Sequence, residues 1–439
     1  MASLRRYVSG AKGPGKEPLR LAGLFAGIGG IEVGLHRAGH HTVFLCEKDE
    51  AARSVLQSRF ADIDFEEDVA NVRGADLPDL DLLAGGFPCQ DLSQAGRTAG
   101  IGGKKSGLVS HMFRIVDELV EDGRAPRWLL FENVQNMLRL DQGKAMAFLV
   151  SELSRRGFSW AYRVVDTQAF GLPQRRQRVI MLASQTHDPA SVLLTDDAGD
   201  QLDLDDPDNE RGHGFYWTEG IRGLGWAPGG IPTLKCGSAL GIPSPPAIWM
   251  PDDTFVTPSI RDAERLQGFD ADWTLTTALP VKKRSGPRWR MVGNAVSVPV
   301  AEWVGHRLRH PKPSDIWRRP WKTDKRWPDA AAGGPSSSAV WEYDCSKWPL
   351  LVPRRSIAKF IQEPELLSTK AASGFRERTF RSNLDLEREP VATFLNRLDE
   401  YIQKRDGDID ELRARARHKA ATLAAGGSLR GGGGAVVSP

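Results

Sequence analysis

Cys89 stands in the stretch Gly85-Gly86-Phe87-Pro88-Cys89-Gln90-Asp91-Leu92-Ser93, directly behind the apolar run Leu80 to Ala84. That run reads as a buried strand, and proline fixes its own φ while removing a backbone donor. The thiol is thus offered from a stiff turn at a strand's C-terminal end, where ligands gather in open α/β sheets. A thiolate is a nucleophile, but a lone cysteine in a loop carries little weight by itself. Its company carries more. A second apolar run, Arg127 to Phe131, ends on Glu132, a carboxyl placed at a buried strand's end to act as an acid. Further on, Gln174-Arg175-Arg176-Gln177-Arg178 opens the strand Val179 to Ala183. Alternation puts Arg176 and Arg178 on one face and Arg175 on the other. The pair is either an anion or carbonyl clamp or a solvated strand edge.

The elements that must position these groups begin at Leu19 to Phe25, a strand. It runs into Ala26-Gly27-Ile28-Gly29-Gly30 and then a helix over Gly30 to Ala38 with apolar spacing at Ile31, Val33, Leu35 and Ala38. Strand, glycine turn and helix form the cradle of a nucleotide-binding, doubly wound fold. The dinucleotide fingerprint is broken, because its third glycine falls on Glu32. A second strand, Thr42 to Cys46, ends at Glu47, about twenty positions after the turn, where an acid accepts the hydroxyls of a ribose. Asp49 reads as an N-cap for a helix over Ala51 to Phe60. A third strand ends near Asp68-Val69, where an acid beside an apolar residue could grip an adenine amino group. Together these features suit an adenosyl ligand. Residues 90–106, rich in glycine and ending near Lys104 and Lys105, read as an active-site lid or as an unstructured insertion.

The chain's 439 residues suffice for two or three domains, and 40% apolar with 26% charged residues is ordinary for a soluble protein. The cysteines, Cys46, Cys89, Cys236 and Cys345, lie far apart with no C-x-x-C pair, which disfavours structural zinc and a disulfide scaffold. No metal site is expected. The N-terminus is basic with no apolar segment behind it, and no run approaches membrane-spanning length, so a cytoplasmic protein is expected. The net charge of +3 is uneven: residues 1–310 carry 36 Lys and Arg against 39 Asp and Glu, and residues 311–439 carry 23 against 17. The C-terminal excess suits polyanion contact or a solvated helical surface.

The domain outline follows from periodicity and composition. Residues 1–18 are a flexible lead-in, and residues 19–184 an α/β catalytic domain, completed by a helix over 292–309. Between about 185 and 257 the periodicity dissolves into Asp, Gly, Pro and Trp. With Ser259 to Phe269 returning to helix, residues 185–291 are expected to be a smaller, irregular domain that reads a shaped partner. Residues 310–344 read as a linker, 345–425 as a helical extension and 426–439 as a disordered, glycine-rich tail.

With these pieces in place the chain resembles the DNA (cytosine-5)-methyltransferases of bacteria and phages. The blocks that carry the resemblance are F-A-G-I-G-G (25–30), G-G-F-P-C-Q-D-L-S (85–93), F-E-N-V (131–134), Q-R-R-Q-R (174–178), R-D-A-E-R-L-Q-G-F (261–269) and V-G-N-A-V (292–296), with a variable region between the fourth and fifth. They run in order from about Leu19 to Arg309. The resemblance implies a Rossmann-like domain that binds S-adenosylmethionine and a separate target-recognition domain, and it narrows the expected location to the bacterial cytoplasm or nucleoid. It implies that Phe25, Gly27 and Gly29 line the cofactor, that Glu47 takes its ribose, and that Asp68 with Val69 takes its adenine. Pro88 and Asn294 lie on the cofactor side. Cys89 is then the nucleophile, Glu132 the acid, and Arg176 and Arg178 hold an extruded base. Gln90, Ser93, Lys104 and Lys105 would meet DNA, as would Thr233-Leu234, which is similar to a Thr-Leu landmark of the family. Lys48 departs from one common pattern, in which the residue after the ribose acid stacks on adenine. Residues 311–439 resemble nothing that assigns them a role.

The implied chemistry explains the residue types. Carbon 5 of cytosine is a poor nucleophile until a thiolate adds to carbon 6 and makes the ring enamine-like. Protonating ring nitrogen 3 removes charge that would otherwise build during addition. The base must leave the duplex first. Double-stranded DNA is the expected partner, with a cognate restriction endonuclease in the same system, and the enzyme is expected to be a monomer. Two alternatives stand beside this reading: an RNA cytosine-5 methyltransferase, and a catalytically silent DNA-binding regulator on the same fold.

Overall fold

Short apolar runs separated by glycine turns build one large sheet. The computed structural model describes residues 4–8, 16–87, 107–200, 210–219, 221, 223–236, 243–278, 285–322, 326–335, 339–353, 355–382, 384, 386 and 389–407. In its first half the chain alternates β1 (Arg20–Leu24), α1 (Gly30–Arg37), β2 (His41–Cys46), α2 (Glu50–Arg59), β3 (Asp64–Glu66), β4 (Leu82–Gly85), α3 (Leu108–Glu121), β5 (Trp128–Val134), α4 (Lys144–Arg155) and β6 (Ser159–Asp166). Then come β7 (Gln174–Arg175) and β8 (Gln177–Ser184). Strands β3, β2, β1, β4 and β5 pair in parallel in that order, and β8 and then β6 continue the sheet antiparallel. This is the expected Rossmann-like arrangement. The order reverses between β1 and β4, so the loops after these two strands flank the crevice.

The linker expected over 310–344 is instead structured. It supplies β14 (Arg318–Pro320), β15 (Ala330–Gly333) and β16 (Trp341–Tyr343), which extend the sheet to ten strands beyond β6. Trp327 packs its ring near Trp160 and Tyr162 and donates Nε1 to the Gly143 carbonyl at 3.1 Å. Burying those aromatics outweighs the Pro and Gly content that suggested a linker. The large domain also continues past Ser184: Val192, Leu193 and Leu194 are buried in its core, and the buried Arg163 bonds Asp197 and the Ser346 carbonyl.

The second domain is ordered around a small antiparallel sheet of β10 (Ala227–Pro228), β9 (His213–Phe215), β12 (Ala247–Trp249), β13 (Phe255–Thr257) and β17 (Glu365–Leu366). Strands of two or three residues show no alternation, so periodicity could not find them. A further strand, β11 (Ile231–Pro232), pairs in parallel with β7 and ties this domain to the catalytic one. Then follow α5 (Ile260–Leu266), opened by a capping box between Ser259 and Asp262, and α6 (Ser285–Asn294) and α7 (Val298–Arg309). The single helix expected over 292–309 is thus two. The break falls at Ala295 to Ser297, just before Pro299 in the first turn of α7.

The C-terminal extension is helical in part. Helices α8 (Thr369–Phe380) and α9 (391–407) pack onto the small sheet, with Phe375, Phe394 and Leu398 fully buried against Phe215, Trp249 and Phe255. Strand β17, Leu367, α8 and α9 are therefore part of the second domain's core. Residues 408–439 lie outside the described residues, and the expected disordered tail with them.

Candidate active site

The glycine turn after β1 carries left-handed backbone at Phe25 (φ 55°), Gly27 (φ 59°) and Gly29 (φ 84°). Gly27 faces open space, since no atom lies within 4 Å of where a Cβ would be. Gly29 sits behind the turn: a Cβ there would fall 2.7 Å from the Phe60 ring. It shapes the cradle by packing against Phe60 and is not among the residues that line the cavity. The Gly27 N–H donates to Glu47 Oε2 at 2.8 Å, and the Asp49 N–H to Glu47 Oε1 at 2.8 Å. The end of β2 thereby aims a carboxylate across the turn.

Asp68 pairs with the Lys48 ammonium at 2.7 Å and accepts from the Ala70 N–H at 3.0 Å. The lysine, then the amide, hold its carboxyl below the usual range. Lys48, which departs from one common pattern of the family, is thus the partner of Asp68. Asp49 caps α2 through the Ala52 N–H and also binds Arg290 at 2.6 Å.

At the end of β5, Glu132 pairs with Arg178 Nε at 3.0 Å. The carboxyl lies beside the turn that leads to Cys89, since a Cβ on Gly86 would be 3.5 Å from Glu132 Oε2. Asn133 holds that turn by donating Nδ2 to the Phe87 carbonyl at 3.0 Å. Burial draws the Arg178 guanidinium down from its ordinary value, and Glu132 opposes the shift.

Arg176 behaves differently from its neighbour. Its guanidinium is buried and donates to the carbonyls of Gly293 at 3.1 Å, Ala295 at 2.8 Å and Leu234 at 3.3 Å. It lines the cavity while tying the second domain and the end of α6 to β8. Burial lowers its pKa well below the ordinary value.

One cavity of about 730 Å³ gathers both groups. Phe25, Gly27, Glu47, Asp68 and Val69 line it together with Glu132, Arg176, Arg178 and the exposed Asn294. Leu234, expected to meet DNA, is instead in the hydrophobic core, with its N–H on Gln174 Oε1 and its carbonyl on Arg176. Thr233 donates Oγ1 to the Arg175 carbonyl at 2.8 Å. Both therefore build the wall between domains, because β11 pairs with β7 immediately before them. Pro88, Cys89, Gln90, Ser93, Lys104 and Lys105, and the lid over 90–106, lie outside the described residues.

Sequence reading missed Asn133 and Arg290, and it marked Lys48 as a departure without finding its pairing with Asp68. Asn133 was within a quoted block and next to Glu132, but a side chain that anchors a distant carbonyl leaves no periodic signal. Gln174 and Gln267 were also inside quoted blocks. Both are fully buried, bonded to each other at 3.2 Å, and bind the Leu266 and Val292 carbonyls.

Residues 19–204 match the family of C-5 cytosine-specific DNA methylases. The Type II methyltransferase M2.BsuMI of Bacillus subtilis is 45% identical over 394 residues, covering 88% of this chain and 100% of that protein. The Type II methyltransferase M.Bsp6I of a Bacillus species is 32% identical over 211 residues, covering 46% of this chain and 64% of that protein. Identity of the first kind, sustained from end to end of a relative, is what common descent of the whole protein leaves, and the chain belongs to the C-5 cytosine-specific DNA methylases.

Proposed function

We propose that this DNA cytosine-5 methyltransferase binds S-adenosylmethionine in the described cavity and methylates carbon 5 of a cytosine extruded from a specific short duplex sequence, through a covalent Cys89 adduct. The reading rests on one observation: the Glu132–Arg178 pair, 3.0 Å apart, lines the same cavity as the glycine turn, Glu47 and Asp68. Acidic groups suit the hydroxyls and amino groups of an adenosyl ligand, and the cavity's size suits a small-molecule site. Glu47 and Asp68 would hold the ribose and the adenine, with Val69 against the ring. Bound there, S-adenosylmethionine supplies an electrophilic methyl group.

The rest of the chemistry belongs to the chain. The Cys89 thiolate adds to carbon 6 of the ring, and the electron pair displaced from the 5,6 double bond makes carbon 5 nucleophilic. Glu132 delivers a proton to ring nitrogen 3 during addition. Arg178 orients that carboxyl and presents its remaining N–H groups to the base. After transfer a base removes the carbon 5 proton, the double bond re-forms, the thiolate leaves and the ring nitrogen 3 proton returns to Glu132.

The enzyme acts as a monomer in this reading, with a cognate endonuclease cutting the unmethylated sequence. The test is transfer of labelled methyl to mixed-sequence duplex DNA, with matched RNA alongside, followed by base-resolution mapping. The expected product is 5-methylcytosine within one short DNA motif, and Cys89→Ser should abolish it while S-adenosylmethionine still binds by calorimetry. Label on RNA alone, or undiminished turnover in the serine variant, would overturn the reading.

A further inference from the structure

The loop after β9 and the segment after β11 meet each other close to Gly293, which lines the cavity. Tyr216 donates its hydroxyl to the Thr233 carbonyl at 2.6 Å. The Lys235 ammonium lies 3.7 Å from the centre of the Tyr216 ring and is paired with Glu219. Both charged side chains remain close to half exposed, at 47% and 43%. Lys235 is fixed to the active site by its backbone, because a Cβ on the cavity-lining Gly293 would lie 2.6 Å from the Lys235 carbonyl carbon. The same loop is gripped from behind by the C-terminal extension. Arg378 of α8 donates to the Trp217 carbonyl at 2.7 Å and to the Glu219 carbonyl at 3.1 Å. Trp217 in turn donates Nε1 to the Pro245 carbonyl at 2.9 Å.

We propose that Glu219 and Lys235 read a G·C base pair next to the extruded cytosine, and that Arg378 is the positioning residue that sets them. The proposal rests on the DNA-methylating reading above and names part of its specificity. A lysine already neutralised by a carboxylate is a poor anchor for a phosphate, which calls for net positive charge. A donor and an acceptor held side by side instead match the major-groove edge of G·C. Guanine offers two acceptors to the ammonium there, and the amino group of cytosine donates to the carboxylate. The ring of Tyr216 and the grip of Arg378 fix both groups before DNA arrives, so less side-chain freedom is lost on binding.

The experiment uses the full chain and its Glu219→Gln, Lys235→Gln, Arg378→Ala and Arg378→Lys variants. Each is incubated with a duplex library randomised around the methylated cytosine, and the products are mapped at base resolution. The first two variants should lose about ten- to a hundredfold of the preference at one and the same base pair. Arg378→Ala should relax that same position, and Arg378→Lys should restore part of it. An unchanged motif in the first two variants overturns the proposal. So does a uniform loss over all sequences with a salt slope reduced by about one, which marks a phosphate contact. If Arg378→Ala slows turnover without touching the motif, its positioning role falls. A wild-type enzyme that methylates no DNA cytosine would sink the underlying reading instead, so the two failures are distinguishable.

Discussion

Glu32, which breaks the dinucleotide fingerprint, is a buried carboxyl whose pKa is pushed up to about 7 by desolvation, with Glu47 adding to the shift. Its side chain occupies the space that a Cβ on Gly23 would need, so the helix residue fills a hole left by the strand glycine. The folded state holds the Glu32 proton between the unfolded value of 4.5 and about 7. Its contribution to stability is full below that window and is lost as pH rises through it, at about 3 kcal/mol across the whole range. Glu32→Gln should therefore gain stability relative to wild type at pH 8 and differ little at pH 4.5, as urea midpoints at the two pH values would show. His40 acts in the opposite sense. Burial pulls it down to about 4, with Nδ1 accepting from the Leu19 N–H and Nε2 facing the Gly305 carbonyl, so its contribution fades as pH falls. At the site, Glu132→Gln should slow methyl transfer by about two to four orders of magnitude. Single-turnover rates on cognate DNA would measure this, and a near-normal rate would remove Glu132 as the acid.

Helix α1 is the element on which the glycine turn depends. It follows the glycine turn and lies against α7 with almost no spacing: a Cβ on Gly34 would fall 2.5 Å from the Ala301 Cβ and from the Val298 carbonyl oxygen. That contact is what closes the large domain with a helix from far along the chain. Gly34→Leu meets backbone there and cannot be absorbed by a rotamer change. It should cost about 3 kcal/mol, at the upper end of overpacking, and weaken S-adenosylmethionine binding through displacement of the turn. Chemical denaturation and calorimetry on the same variant would test both effects, and an unchanged unfolding midpoint would show that the helices can separate freely.

Across the whole molecule, the last third of the chain is divided between both domains. Strands β14, β15 and β16 extend the catalytic sheet, while β17, α8 and α9 complete the core beneath the small sheet of the second domain. Phe394 lies with its ring 4.9 Å from those of Phe215 and Trp226 and is fully buried. Phe394→Ala should cost about 3–5 kcal/mol. The loss should fall on the second domain, so, if that domain carries the DNA contact as proposed, DNA binding should weaken while S-adenosylmethionine binding is kept. Titrations with each ligand would separate the two, and equal loss of both would mean that the domains unfold as one unit.

What the sequence alone determined is what local chemistry and short-range periodicity encode. The strand–glycine turn–helix, the acid at the end of β2, the Asp49 cap and the apolar strands ending near Gly86 and Glu132 are each written within a dozen neighbouring residues. Their order also carried the resemblance to the family to which the chain belongs. Only the tertiary structure decided the rest. Arg175, Arg176 and Arg178 look alike in sequence, yet Arg176 binds three backbone carbonyls from two distant segments and Arg178 takes Glu132. Leu234 proved to be core, strands of two or three residues assembled a sheet, and a presumed linker joined another. In each case the deciding energy is the burial of side chains or backbone groups against partners tens to hundreds of residues away. Contacts at that separation leave no spacing pattern along the chain.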